Sequence, residues 1–290
     1  NSREEDLISS PGRMGLQAKV KLGATQEGKL TFADLLYLFD SGAYADYAVN
    51  ISRAAATACT GPYRIPHVRC DSLCLYTNHP FATAFRGFGH IELCFAIERA
   101  MDLLAEKLGI DPVQLRLINA IQAGDSTPTQ NVLDQNTGDL AECIRRATEM
   151  IEWEQGNRIN VSETKLRAKG IGCLWKAPAI PPNTDAGAML TFNEDGSVNL
   201  ICSIIEIGQG AQTGLVQLVA ERLNIDPALV HITSDVMTDR APHDWATAAS
   251  RSLFMAGRAV LEATDDALRQ IKQIASIPLR VPAQDLEVDR

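Results

Sequence analysis

Two glycine-rich segments carry the residue types best suited to binding an anion. They are residues 84–89 (AFRGFG) and residues 206–210 (EIGQG), and each precedes an amphipathic stretch with helical periodicity. Glycine lets the main chain approach a ligand closely, and the unpaired N–H groups at the start of a helix favour negative charge. These loops predict a phosphate or oxyanion site, with each loop forming one half of the same cleft. The residues alone leave open the alternative that each loop is only a turn.

A third segment with similar potential lies nearer the end of the chain. Residues 247–252 (TAASRS) lead into a long predicted helix over residues 252–273. Backbone donors at that helix start are a further place where an anion is favoured.

Regular elements are predicted around these loops. Alternating apolar and polar positions at 17–23 and 29–37 indicate a β-hairpin, and an Asp195-Gly196 turn indicates a second one. Asp139, with Glu142 three residues later, is typical of a helix start. The other predicted helices cover 90–108, a short stretch after Pro112, 139–155 and 211–223, and the other predicted strands cover 65–76, 170–176, 187–192, 197–205 and 229–233. The Ala-rich stretch 53–58 is compatible with helix or strand.

The fold class predicted from this pattern is α+β, with two lobes of mixed β-hairpins and sheets and packed helices. A chain of 290 residues exceeds the usual size of a single domain. We place the first lobe at residues 1–160 and the second at 161–290. The segments 105–112 (AEKLGIDP) and 220–227 (AERLNIDP) are nearly alike, which indicates a weak internal repeat.

Composition excludes several classes of function. The net charge of −9, without a cluster of Lys and Arg, argues against nucleic acid as the partner. The sequence shows neither an apolar run of the roughly 18 to 20 residues that span a bilayer nor a signal peptide, so we predict a cytoplasmic protein with no membrane partner. The seven cysteines are odd in number and widely spread, which favours reduced thiols. Cys70 and Cys74 lack further ligands at metal-site spacing, so we expect core or strand residues there.

The three loop motifs, in this order, resemble the molybdenum-binding part of the xanthine dehydrogenase and aldehyde oxidase family of molybdenum hydroxylases. The resemblance runs from residues 2–5 (SREE) to residues 257–260 (GRAV) and so covers nearly the whole chain. It implies a molybdenum–molybdopterin cofactor, often linked to a dinucleotide, enclosed by two lobes. It also implies an oxidoreductase that hydroxylates an aldehyde or an aromatic N-heterocycle, as xanthine dehydrogenase does, with oxygen taken from water.

The resemblance assigns roles in the second loop and in the third segment. Gln209 would hydrogen-bond an oxo ligand of the metal, and it is one of two residues assigned to catalysis. The backbone of Ile207 and Gly208 would lie along the pterin, with Gly210 in the same cofactor-binding loop. Ala249 would approach the metal through its backbone.

Further assignments follow the same resemblance. Ser250, Arg251 and Ser252 would cradle the pterin or its phosphate, which agrees with the helix-start argument. Arg86 would lie beside the metal centre, contacting the cofactor and serving in catalysis, while Phe88 would stack against a planar substrate.

The family's remaining parts are expected elsewhere. The general base of the family is a Glu in a Gly-rich motif near the C-terminus, and neither Glu206 nor Glu221 fits that motif. We therefore expect a central fragment of a molybdopterin-binding subunit that is inactive alone. The resemblance implies partner domains or subunits with 2Fe-2S and FAD, a small-molecule substrate and a homo-oligomeric complex.

Two other classes of function compete with this interpretation. One is a non-redox phosphate- or nucleotide-binding module, although neither loop matches the common nucleotide-binding fingerprints. The other is a structural or assembly domain.

Overall fold

The computed structural model describes residues 2–176, 184–233 and 237–288. The chain divides into two compact units, Asn1–Lys176 and Ala177–Arg290. Each unit combines helices with a three-stranded sheet, and the first has an additional two-stranded sheet. The predicted α+β class is therefore confirmed.

The first unit begins with a short helix and a hairpin, continues with a helix, a strand and three further helices, and ends with a second hairpin. Its helices are α1 (Arg3–Ser9), α2 (Ala48–Thr57), α3 (His90–Leu108), α4 (Pro112–Asn119) and α5 (Leu140–Met150), and its strands are β1 (Gly15–Ala24), β2 (Leu30–Gly42), β3 (His67–Tyr76), β4 (Arg158–Ser162) and β5 (Lys165–Ala168). The Ala-rich stretch that the sequence left ambiguous belongs to α2.

The main sheet of this unit has the order β1-β2-β3. β1 and β2 form the predicted antiparallel hairpin, whereas β3 runs parallel to β2. Leu35, Tyr37 and Phe39 occupy every second position of β2 and are buried. The two-residue period of a strand places all three on the face that packs against the core. Helix α3 packs across β1 and adds Ile97 and Met101 to the same core.

The predicted boundary at 160/161 differs from the observed division between Lys176 and Ala177. The chain remains attached to the first unit because the backbone N–H of Cys173 donates to Glu98 Oε2 (3.0 Å) and its carbonyl accepts from Cys94 Sγ (3.3 Å). These contacts hold residues 170–176 without a strand partner, so the strand predicted there was wrong.

The second unit follows the order hairpin, helix, strand, helix. Its elements are β6 (Met189–Phe192), β7 (Val198–Ile201), α6 (Ala211–Leu223), β8 (Val230–Thr233) and α7 (Gly257–Leu279). β6 and β7 are antiparallel, β8 is parallel to β7, and α6 packs against α7. Buried Leu200, Leu215 and Val260 belong to one core.

The repeated helix endings adopt the same conformation. Gly109 and Asn224 both lie in the left-handed region and donate backbone N–H groups to the last carbonyls of α3 and α6. Asp111 and Asp226 then cap the turns that start at Pro112 and Pro227. The sequence similarity thus encodes a shared helix stop followed by a capped turn.

Several remaining expectations concern metals, thiols and membranes. All seven cysteines, which lie in the described ranges, carry free thiols, and Cys70 and Cys74 belong to β3. In the part of the chain that the structure describes, His, Cys, Asp and Glu form no group of three that could hold a metal ion. None of the helices in that part combines the length and the apolar character needed to cross a bilayer.

Candidate functional site

The first glycine-rich loop has an unusual backbone immediately before α3. Gly87, Phe88 and Gly89 have φ values of 110°, 50° and 85°, so three consecutive residues are left-handed. This conformation costs a bulky residue such as Phe88 on the order of 1–3 kcal/mol, and such strain is concentrated at functional sites. Gly89 is also required by space, since a Cβ there would lie 2.5 Å from the carbonyl oxygen of Ile51.

Hydrogen bonds hold this loop against the start of α3. Phe88 N donates to Phe85 O (2.9 Å), and His90 N donates to Gly87 O (3.1 Å). The His90 ring contributes as well, with Nδ1 3.1 Å from the same Gly87 oxygen. Burial, followed by the charge of Lys176, lowers the pKa of His90, which favours the neutral ring as a donor to this carbonyl.

Arg86 and Phe88 differ in exposure. Arg86 is exposed on the loop, where its side chain is accessible to a ligand. Phe88 is half-buried, packs against the first core and meets the Tyr47 ring edge-on at a centroid distance of 6.2 Å. Part of the Phe88 ring therefore has a structural role beside its predicted contact with substrate.

The second glycine-rich loop binds a carboxylate of its own. Glu206 Oε1 accepts from the backbone N–H groups of Gly208 (2.8 Å) and Gly210 (2.9 Å), and Oε2 accepts from Gln212 N (3.2 Å). These bonds, the one from Gly210 foremost, lower the pKa of Glu206. The loop therefore binds an anion at a helix start, and in this structure that anion is the Glu206 carboxylate. A phosphate or pterin contact by these amides stays a prediction.

The Gln209 side chain is folded back onto the same loop. Its Oε1 accepts from Ile207 N (2.7 Å), and its Nε2 donates to Ile205 O (3.1 Å). The Ile205 carbonyl also accepts from Thr247 Oγ1 (2.9 Å). One carbonyl thus joins the second loop to the third segment, and the structure brings these two predicted regions together.

The third segment is strained as well. Ala249 and Ser250 have φ values of 52° and 60°, although neither is glycine. The chain then enters a π-helical turn, Ser252–Ala256, that continues into α7. Non-glycine residues in the left-handed region and π-helical turns are both frequent at functional sites. The long predicted helix exists, but its first turn is π-helical and it extends to Leu279.

The Arg251 side chain has a structural role that was not predicted. Its guanidinium is fully buried and forms two bonds to the carboxylate of Asp244, with Nη1–Oδ1 2.7 Å and Nη2–Oδ2 3.1 Å. It also donates to the carbonyls of Asp185 and Ala246. These bonds direct the Nη groups away from any ligand, so a cofactor contact by Arg251 remains a prediction for Nε or the backbone.

Two buried donors in this segment fit an anionic cofactor. Within the described ranges, Ser252 Oγ and Arg251 Nε are buried and have no hydrogen-bond partner. A buried hydroxyl or N–H without an acceptor costs about 1–3 kcal/mol, which a phosphate or pterin oxygen would recover. Ala249 and Ser250 are exposed beside them. This donor set suits a phosphorylated pterin.

Some of the residues that shape these regions were not singled out from the sequence. In the sequence, Glu206 is a member of the second glycine-rich loop that does not fit the general-base motif, and Asp244 belongs to none of the three motifs. Opposite charges seven residues apart, at Asp244 and Arg251, were the one available signal for the buried pair. Arg13, which contacts the first loop from 73 residues away, had no local signal.

Two protein-family models match the parts of the chain that contain these loops. One model described as a molybdopterin cofactor-binding domain matches residues 1–120, and a second model with the same description matches residues 146–290. Together they include all three loop motifs.

Similar proteins carry related names. The chain is 32% identical over 290 residues to the putative xanthine dehydrogenase molybdenum-binding subunit of Escherichia coli, covering 98% of this chain and 38% of that protein. It is 27% identical to human aldehyde oxidase, covering 94% of this chain and 21% of that protein. The chain therefore spans well under half the length of these relatives.

Solved structures show the same fold. The aldehyde oxidoreductase of Desulfovibrio desulfuricans superimposes with a TM-score of 0.75 at 28% identity, over 88% of this chain and 28% of that one. Quinoline 2-oxidoreductase of Pseudomonas putida gives a TM-score of 0.80 at 19% identity, over 100% of this chain and 39% of that one, which supports the fold alone. From both family models and these relatives, the chain belongs to the molybdopterin cofactor-binding domains of the xanthine dehydrogenase and aldehyde oxidase family.

Proposed function

We propose that this chain is part of a molybdenum-dependent hydroxylase that oxidises an aldehyde or an aromatic N-heterocycle with oxygen from water. Relatives named xanthine dehydrogenase, aldehyde oxidase and nicotinate dehydrogenase support these substrate classes. The observation that carries the proposal is the strained segment Ala249–Ser250, which adjoins the Ser252 hydroxyl, a buried donor without a partner among the described residues. A non-redox nucleotide-binding module or an assembly domain is not favoured by these relatives.

The proposed cofactor site uses backbone and hydroxyl donors. Ala249 and Ser250 would present their main chain to the cofactor, and the Ser252 hydroxyl would donate to a pterin or phosphate oxygen. When bound, the molybdenum–molybdopterin cofactor supplies the oxygen-transfer and redox chemistry. Arg251 stabilises this segment through Asp244, so that the donors are held in place before a ligand arrives.

Other residues of the chain would act on the ligand and the substrate. The amide of Gln209 would turn from Ile205 and Ile207 toward an oxygen ligand of the metal, exchanging two internal bonds for a new one. Ile207, Gly208 and Gly210 would line the pterin in the same loop. Arg86 is proposed to lie beside the metal centre and Phe88 to contact a planar substrate, each from the first loop.

Further parts of the enzyme would come from outside this chain. We propose that a Glu elsewhere in the protein is the general base for water, with 2Fe-2S and FAD on partner domains or subunits. A homo-oligomeric complex in the cytoplasm is the proposed setting.

Metal and pterin analysis of the full-length protein tests this function. Purified from a molybdenum-competent host, it should contain molybdenum and pterin in about equal amounts. Ser252→Ala should reduce cofactor content by about half or more, because it removes a buried donor. Ser276→Ala in α7, where the exposed hydroxyl donates to the Gln273 carbonyl of its own helix, should retain wild-type content. Wild-type protein without metal and pterin would contradict the proposal.

A further inference from the structure

The first loop is fastened to a segment near the start of the chain. Gly12 forms a parallel bridge with Ala82, and Thr83 N donates to Gly12 O (3.1 Å). This pairing aligns the backbone around Arg13 with the residues that immediately precede the loop.

The Arg13 guanidinium then contacts the loop on both sides of its left-handed residues. Nη2 donates to the carbonyl of Arg86 (2.7 Å), while Nη1 pairs with Glu92 Oε1 in the first turn of α3 (3.0 Å). The guanidinium also lies over the Phe85 ring, 4.6 Å from its centroid. A planar cation with several fixed donors can make these contacts simultaneously, which lysine cannot.

Glu92 is the buried partner in the ion pair with Arg13. Its side chain is only 7% exposed, and its second oxygen has no hydrogen-bond partner within the described ranges. A buried carboxylate depends strongly on the cation that compensates it, so the Arg13–Glu92 pair is expected to be persistent. Arg13 is thereby held at a fixed place, from which it holds the Arg86 carbonyl.

We propose that Arg13 is a positioning residue for the first loop. By fixing the main chain of Arg86, it sets the direction in which the Arg86 side chain leaves the loop, and it supports the left-handed turn that presents Phe88. The effect on substrate rests on the proposed function, whereas the effect on the loop depends only on the contacts described here.

The test compares variants of the full-length protein. Arg13→Met keeps an unbranched apolar stem but removes the guanidinium, Arg13→Lys retains only the positive charge, and Phe85→Leu removes the ring that the guanidinium covers. Arg64→Met is the matched control because Arg64 forms a partly buried pair with Asp125 in the same unit, with side-chain exposures of 39% and 13% against 30% and 7% for Arg13 and Glu92.

Hydrogen exchange reads the loop directly. In Arg13→Met, amide exchange over residues 84–92 should accelerate about tenfold, while the rest of the first unit stays within about twofold of wild type. In Arg13→Lys and Phe85→Leu, the exchange rates over residues 84–92 should lie between those of wild type and those of Arg13→Met. A uniform increase in exchange rate throughout the first unit would assign Arg13 a general stabilising role and overturn the proposal. Unchanged exchange rates over residues 84–92 would overturn it as well.

Kinetics and cofactor content separate this proposal from the proposed function. In Arg13→Met, kcat/KM should fall roughly tenfold, mainly through KM, with molybdenum content unchanged, because small displacements of positioning groups are costly. Arg13→Lys should recover part of this loss, and Arg64→Met should match wild type. Accelerated exchange with unchanged kcat/KM overturns the substrate effect. Wild-type protein without molybdenum and pterin contradicts the proposed function, while the exchange result still decides the role in the loop.

Discussion

Asp244 and Arg251 form a buried ion pair in which both side-chain nitrogens at the end of the guanidinium meet both carboxylate oxygens. The side chains are 3% and 0% exposed, respectively. This pair closes the segment that contains Ala249 and Ser250, two consecutive non-glycine residues with positive φ. A residue that the family resemblance assigns to the cofactor thus also holds the surrounding loop together.

Asp244→Asn should strongly destabilise the second unit. The substitution leaves the Arg251 charge buried without compensation, which costs about 3–5 kcal/mol. Urea unfolding followed by tryptophan fluorescence measures the change, since the Arg251 guanidinium lies 5.8 Å from the centroid of the Trp245 ring. Asp265→Asn, which breaks an exposed pair with Arg222, should cost less than about 1 kcal/mol. Equal losses in the two variants would refute the structural role of the buried pair.

Glu206→Gln should loosen the second loop. An amide has one acceptor oxygen in place of two, so the N–H groups of Gly208, Gly210 and Gln212 lose bonds and should exchange faster at neutral pH. The lowered pKa of Glu206 means that its contribution is present above the ordinary value of 4.5 and is lost as the pH falls through the lower folded-state value. Exchange rates resolved by residue provide the measurement. Glu221→Gln is the control. Similarly accelerated exchange of the Gly208, Gly210 and Gln212 amides in that variant would contradict the role assigned to Glu206.

Gly89→Ala and Gly208→Ala should differ in cost although both glycines are left-handed. At Gly208, with φ 95°, a Cβ would lie more than 4 Å from every described residue beyond its chain neighbours, so only backbone strain of about 1 kcal/mol is expected. At Gly89 the Cβ would lie 2.5 Å from a backbone oxygen, which adds a steric cost and brings the total to about 3 kcal/mol or more. Chemical unfolding of both variants measures the difference, and a larger cost at Gly208 would be the contrary result.

His90→Gln should reduce the dependence of stability on pH. Because the folded-state pKa of His90 is lowered by burial and then by Lys176, its stabilising contribution is present above the ordinary value of 6.5 and declines as the pH falls. The urea midpoint of wild type should therefore drop between about pH 7.5 and about pH 5.5, and the drop should be smaller in the variant. The exposed His231→Gln is the control. An identical drop in the His90 variant and wild type would exclude His90 as a source of this pH dependence.

Several elements could be predicted because their signals are local. Helix α3 ends at Leu108 before Gly109, and α6 spans Ala211–Leu223, as expected from periodicity and from the residues that follow. The cap of α5 is also correct, with Asp139 accepting from Glu142 N at 2.9 Å. The predicted strand over 170–176 failed because contacts with α3, distant in the sequence, satisfy its backbone instead.

Most of the helices and strands that flank the three loops, the positions of those loops and the family to which their motifs point could be predicted from the sequence. Those properties depend on residues a few positions apart, or on motifs that are read as letters. Tertiary packing, by contrast, places the Glu206 carboxylate on the amides of its own loop, buries Arg251 against Asp244 and brings Arg13 to Arg86 and Glu92 across 73 and 79 residues. Whether a hydrogen-bond donor meets an acceptor of this chain or one of a ligand depends on the distances between these groups. The packing of the folded chain sets those distances.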